Sequence, residues 1–428
     1  MLVLLVFGIM ALFILFNVPV AFALGITSLL FLVIATEVPL VVVVQRMYMG
    51  VDSFTLLAVP LFILTGVLMN HTRLARKIVD FSMSLVGHLP GGLAVVNIVT
   101  SMFFAGVSGT AMADTAAVGG VLIPAMKAKG YRADFTGAVT ASSSTIGIII
   151  PPSVPMVLYG VFVGVSVTNL FIAGLLPGVL IGIGLTAIAI IISVRDKYLA
   201  ESKFSLTLTL KTFVAALPAL VLPLIILGGI MGGVFTPTEA AAVAVVYVLL
   251  VGFFVERDLT PKVIYKALKE TALLTGTVMI IIAVAGLLGW VFSYARIPQL
   301  LVTPFLALTE SPVVFMWIAS VLLIVAGTFL HGTALLVVLV PLFLPIVRTM
   351  GIHPLQFAMV VMMCWGIGQQ TPPVGSSIYI TCTLADIDMW ELTRANLPFL
   401  ASLVAVLALI IHAPGFTVFL VPGLLGLM

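Results

Sequence analysis

Apolar residues along this chain come in long runs separated by short polar loops, and most runs approach the roughly 20 residues a membrane-crossing helix needs. In the first half the pattern predicts spans near 1–16, 19–36, 55–70, 134–160 and 168–194, with a paired apolar element at 92–125 between the third and fourth. Two of these runs carry breaks. FFAGVSGTAMAD places Gly109-Thr110 halfway along the paired element, and SSSTIGIIIPPSVPMVLYG places Pro151-Pro152 inside the next run. A Pro-Pro pair removes two backbone donors and disrupts a helix, which frees carbonyls and amides at a depth where lipid cannot satisfy them. Such backbone persists only beside protein, water or a bound ion.

The same two breaks recur. IVAGTFLHGTALLV carries Gly332-Thr333, and GIGQQTPPVGSSIYIT carries Pro372-Pro373. The likeness extends outward: NVPVAFALGITSLLFLV aligns with TPTEAAAVAVVYVLLVG through Pro19 and Pro237, and the segment ending at Arg76 aligns with the one ending at Arg296. The chain therefore reads as two repeats. The first covers 1–200, with hairpin 92–125 and broken helix 134–160. A linker at 201–211 leads to the second, 212–412, with hairpin 312–345 and broken helix 355–383, and 413–428 forms a tail.

Charge placement orients the repeats. If each paired element enters and leaves on one side, only Arg46, Arg296 and Arg348 of the eighteen basic residues lie outside, and fifteen lie on one face. By the positive-inside rule that face is cytoplasmic. Five spans per half is an odd number, so the second half is inverted and the N-terminus lies outside. Hairpin arms of about 14 to 15 residues span roughly 22 Å of a core near 30 Å, so the pairs are read as re-entrant. Their tips, Ser108-Gly109-Thr110 and His331-Gly332-Thr333, should meet near the midplane. The predicted fold class is an all-α polytopic membrane protein of two inverted repeats, each with five spans and one re-entrant hairpin.

Composition narrows the function. Hydrophobic residues are 62% of 428 and charged residues 8%, which leaves no soluble domain and no surface for nucleic acid. Cys364 and Cys382 show neither CxxC spacing nor a ligand cluster and read as inert thiols. The first apolar run lacks a basic leader region and matches a mid-chain segment, so it reads as a mature span. No GxxxxGK[ST] is present, which disfavours a primary pump. A channel fits the composition, but hairpins closed on opposite sides describe alternating gates.

Unwound backbone with Ser and Thr hydroxyls provides oxygen ligands for sodium without added charge. The candidate sodium ligands are Ser108, Gly109, Thr110, Ser144, Thr145 and Gly147 in the first copy and Gly332, Thr333, Gln370, Thr371 and Pro372 in the second. The duplication implies at least two ions per cycle. Half-helix N-termini beginning near Gly109 and Gly332 would attract a carboxylate. The candidate substrate contacts are Ser108, Thr110, Asp114, Ser153, Arg296, His331 and Thr333. Three of these have a bland reading beside the functional one: Asp114 as a bond holding the hairpin shut, Arg296 as an interface anchor and His331 as a structural hydrogen bond. Glu239 reads as a helix-start residue. Gly106-Val107-Ser108-Gly109 also matches the GxSG of rhomboid proteases with His331 as an imaginable base, but the second tip lacks a nucleophile and the duplication favours binding.

SGTAMAD, IGIIIPPSVPMVLYG, GQQTPPVGSSIYIT, VPLFILTGVLM and TPTEAAAVAVVY together resemble the large membrane subunit, the DctM subunit, of tripartite ATP-independent periplasmic (TRAP) transporters, over nearly the whole chain. The resemblance implies a sodium-driven, ATP-independent elevator in a bacterial inner membrane. It also implies a periplasmic substrate-binding protein and a small four-helix membrane subunit, here expected as a separate chain because this one starts with a span. Its substrates would be organic acids, with sialic acid favoured and C4-dicarboxylates next. Related standalone sodium/dicarboxylate symporters, the alternative, carry Ser-Asn-Thr tips where this chain has Ser-Gly-Thr and His-Gly-Thr.

Overall fold

The computed structural model describes residues 8–424 apart from 11, 14, 15 and 17, so the predicted first span lies mostly outside the described residues. Every regular element among the described residues is helical. The first half runs α1 (Val20–Ala35), α2 (Val41–Val51), α3 (Ala58–Asn70), α4 (Leu74–Val86), α5 (Gly92–Ser108), α6 (Ala111–Ala128), α7 (Ala133–Ser143), α8 (Ile146–Ile149), α9 (Val154–Val163) and α10 (Val167–Arg195). The second runs α11 (Leu206–Met231), α12 (Pro237–Leu250), α13 (Pro261–Tyr294), α14 (Ile297–Leu308), α15 (Pro312–Phe329), α16 (Gly332–Thr349), α17 (Pro354–Gly368), α18 (Ser376–Ala385) and α19 (Met389–His412). Two short helices, Pro414–Thr417 and Leu420–Leu424, follow in the segment read as a tail.

Seven helices among the described residues are long and apolar enough to cross a membrane, and two bent pairs raise the number to nine. One of those pairs is the first Pro-Pro element, where the chain turns by 43° between Ala133–Ile149 and Val154–Val163. The other joins α2 to α3 with a bend of 63°.

Helix starts follow local chemistry. Pro237, Pro261, Pro312 and Pro354 each open a helix, where the missing N–H costs nothing. Thr236 and Glu239 form a reciprocal capping box at the start of α12, which is the role expected of Glu239.

Two findings correct the sequence reading. The hairpin arms are longer than expected: α5 has 17 residues and α6, α15 and α16 have 18 each, and 18 residues of helix reach about 27 Å. Length therefore does not make these elements hairpins. At the tips Ser108, Gly109, Gly332 and Thr333 are buried and Thr110 and His331 partly buried. Helices α2 and α4 lie outside the predicted spans, because Arg46 with Gln45, and Arg76 with Lys77 and Asp80, interrupt the apolar runs.

The innermost elements are α5, the α7–α8 pair and α17, on which nearly every side chain is buried. Long helices such as α10, α11 and α13 surround them and turn exposed apolar residues outward, among them Ile183, Leu224 and Leu273. The basic loops pair in two groups, 71–77 with 256–270 and 129–132 with 196–201. His71 Nε2 is 3.2 Å from Glu270, Lys77 Nζ 2.5 Å from Glu256, and the Arg73 amide donates to Asp258 at 2.7 Å. Lys129 pairs with Glu201 at 3.0 Å and Arg132 with Asp196 at 3.2 Å.

Candidate functional site

The two tips face one cavity. At the first, Ser108 ends α5, Gly109 takes a left-handed φ of 61° that suits glycine, and Thr110 caps α6 by accepting from the Ala113 amide at 3.3 Å. At the second, Leu330 and His331 are extended and α16 begins at Gly332. Ser108, Thr110, His331 and Thr333 line a single cavity of about 330 Å³ with Trp365, Gln369 and a wall from α3 and α13. His331 Nε2 is 3.5 Å from Met112 Sδ, so the tips touch.

Each Pro-Pro loop is fastened to the tip of its own half. Pro151-Pro152 and Pro372-Pro373 are both cis. The Val154 amide donates to the Gly109 carbonyl at 3.0 Å, and the Val374 amide donates to the Thr328 carbonyl at 3.1 Å. Gly147 lies so close to the first tip that a Cβ there would stand 3.2 Å from the Thr110 carbonyl oxygen. This brings together Ser108, Gly109, Thr110 and Gly147. Gly332 packs flat on Trp365, where a Cβ would stand 1.6 Å from the indole.

Several predicted contacts lie elsewhere. Arg296 is exposed, in a left-handed conformation at the start of α14, and does not line the cavity. Asp114 is fully buried behind the tip and also lies off the cavity. Ser101 Oγ donates to its Oδ2 at 2.8 Å, which joins α5 to α6, and Oδ1 is buried without a partner. Ser153 donates to the Ile148 carbonyl at 2.5 Å and caps α9. Ser144 Oγ and Thr371 Oγ1 donate to the Ala141 and Ile367 carbonyls, at 2.8 and 2.7 Å. Pro372 stays half-buried in its loop. Gln370 and Thr145 are bonded to each other, with Gln370 Nε2 donating to Thr145 Oγ1 at 2.8 Å, and are absent from the cavity wall.

Sequence reasoning missed Trp365, Asn97, Ser101, Thr140 and Asn396. Their signal was polarity inside apolar helices, where an unbonded polar group is costly. Asn97 Nδ2 donates to Thr140 Oγ1 at 2.8 Å, and Ser143 Oγ lies 3.0 Å from Asn97 Oδ1.

The chemistry of the cavity is that of binding. Ser108 Oγ, His331 Nδ1 and Gln369 Nε2 are buried on its wall with no hydrogen-bond partner. Ser108 and His331 are thus not bonded as a nucleophile and base. The N-termini of α6 and α16 both open at the cavity, and their free amides favour an anion. Among the described residues, Glu270 is the one Asp, Glu, Lys or Arg on the wall.

The comparison with known proteins is decided by the family model for the DctM component of tripartite ATP-independent periplasmic transporters, which matches residues 7–416. The chain belongs to that family. Among its DctM relatives, the sialic acid TRAP transporter large permease protein SiaM of Vibrio cholerae serotype O1 is 40% identical over 96% of both chains. The C4-dicarboxylate large permease protein DctM of Pseudomonas aeruginosa is 38% identical over 88% of both. The isethionate permease protein DctMQ of Oleidesulfovibrio alaskensis is 36% identical over 96% of this chain and 65% of its own length. The YdaH transporter structure of Alcanivorax borkumensis shares the fold, with a TM-score of 0.62 over 87% of each chain at 17% identity. A TRAP large permease is a transport protein, multi-pass and ATP-independent.

Proposed function

We propose that this DctM-family chain carries an organic acid inward by coupling it to sodium, with a periplasmic binding protein delivering the acid and a small membrane subunit beside it. The observation that carries the reading is the single cavity lined by both tips. An acid there meets two helix N-termini and unpartnered donors in place of an Arg or Lys, so cations bound at the unwound segments supply the missing charge. The two hairpins are re-entrant and belong to two inverted repeats, with the basic loops cytoplasmic in a bacterial inner membrane. Glu270 lines the cavity and is paired with His71 among those loops, so the cavity opens to the cytoplasmic face. Sialic acid is the first candidate, from the SiaM likeness, and a C4-dicarboxylate the second.

The substrate is tested with proteoliposomes holding this chain and its small subunit, with the cognate binding protein outside and a sodium gradient directed inward. Labelled sialic acid should accumulate and excess succinate should not compete. Accumulation of succinate with no entry of sialic acid would reverse the order of the two candidates. Uptake of either acid without the binding protein would contradict the tripartite reading.

A further inference from the structure

Ser142, Thr145, Gln370 and Asn396 form one closed polar knot where the two broken helices cross, away from the cavity. Gln370 Oε1 accepts from Asn396 Nδ2 at 2.9 Å and lies 2.9 Å from Ser142 Oγ. Its Nε2 donates to Thr145 Oγ1 at 2.8 Å and to the Gly366 carbonyl at 3.1 Å. Ser142 Oγ is also 2.6 Å from Asn396 Oδ1. All four residues are fully buried, with 0% exposure.

The placement of these bonds gives them a role. Ser142 and Thr145 flank the turn where α7 stops and α8 starts, beside the first unwound segment. Gln370 stands at the end of α17, where the second unwound segment begins. Asn396 comes from α19 and touches neither hairpin tip in this network. Both ends of the Gln370 amide are occupied, so its side chain acts as a strut and leaves ion ligation to backbone and hydroxyl oxygens of its loop.

We infer that this knot makes the two sodium sites cooperative, and that Asn396 is the positioning residue that holds it. The inference rests on the sodium reading above. An ion entering either site must order the unwound segment around it, at a cost in conformational entropy. Segments tied by buried hydrogen bonds are ordered together, so the first ion bears the cost for both and the second binds more tightly. Without Asn396, Gln370 Oε1 loses its amide donor, the strut loosens, and each segment orders alone.

The test is the sodium dependence of uptake in the reconstituted tripartite system, for the unaltered chain, Asn396→Ala, Asn396→Leu and Ser142→Ala. The unaltered chain should give a Hill coefficient above one. Asn396→Ala and Asn396→Leu should bring it towards one and raise half-saturating sodium by about tenfold, with the rate at saturating sodium within a factor of two. Leucine keeps the γ-branched shape and removes the donor without adding a charge, so it reads the lost bond even where alanine fails to fold. Ser142→Ala should give a smaller shift in the same direction. Three results would overturn the inference: an unchanged Hill coefficient in folded Asn396→Leu, a fall in maximal rate alone, or a Hill coefficient of one in the unaltered chain. Absence of any sodium dependence in the unaltered chain is separate, since it removes the sodium reading itself before any variant is compared.

Discussion

His331 Nε2 of the second tip stands 3.5 Å from Sδ of Met112, on the first turn beyond the other tip, although 219 residues separate them in sequence. The contact closes the space between two helix starts that both face the cavity. A bridge at this point should exclude substrate. In a Cys382→Ser background, Met112→Cys with His331→Cys should be joined by a short thiol-bridging reagent, uptake should fall to background, and sodium with substrate should slow the bridging. Full transport by the bridged protein would place the substrate elsewhere.

Gly332 is a test of packing at the second tip. A Cβ there would stand 1.6 Å from Trp365, whose indole is held at 6% exposure. Gly332→Ala should lower thermal stability by about 1 to 3 kcal/mol, the usual range for overpacking, and abolish uptake. Trp365→Leu in the same chain should restore part of both. A stable and active Gly332→Ala would show that the tip repacks freely.

Thr110 and Thr333 are equivalent hydroxyls on the cavity wall. Replacing either by alanine should raise the sodium needed for half-maximal uptake, by a loss on the order of 1 to 3 kcal/mol, the cost of a missing buried polar partner. Sodium curves that superimpose on the unaltered one would remove these hydroxyls from the ion sites.

The positions of the tips were legible in the sequence because Gly-Thr and Pro-Pro act locally on the backbone wherever they stand. Hairpin length was not. The helix α6 continues past the apolar run through Lys127, which reaches back to the Ala385 carbonyl at 2.6 Å, and α16 runs through Pro345 to Thr349. The partner of Asp114, Ser101, sits on the facing arm, and facing arms cannot be matched from one sequence. The same limit hid Asn396, whose value depends on α19 crossing both broken helices. Arg296 stands at the end of a span, and that position does not say which way its side chain faces.

Orientation is checked by labelling. The pairing of residues 129–132 with 196–201 puts the loops carrying Lys129 and Lys203 on one face. Single cysteines at Lys129 and Lys203 should react only from the cytoplasm, and one at Met350 only from the periplasm. Labelling of the first two from opposite sides would refute the reading of 134–160 and 168–194 as two crossings.

The central claim, that a cavity shared by two duplicated tips couples an organic acid to sodium, is tested most directly by the current that accompanies uptake. Two sodium ions with one monocarboxylate move one net positive charge inward, and 100 mV then contributes about 2.3 kcal/mol to accumulation. Reconstituted vesicles without ATP, supplied with binding protein and substrate, should show inward current on addition of sodium, with uptake increased by an inside-negative potential. Equal uptake in sodium and potassium, with no current, would contradict the account.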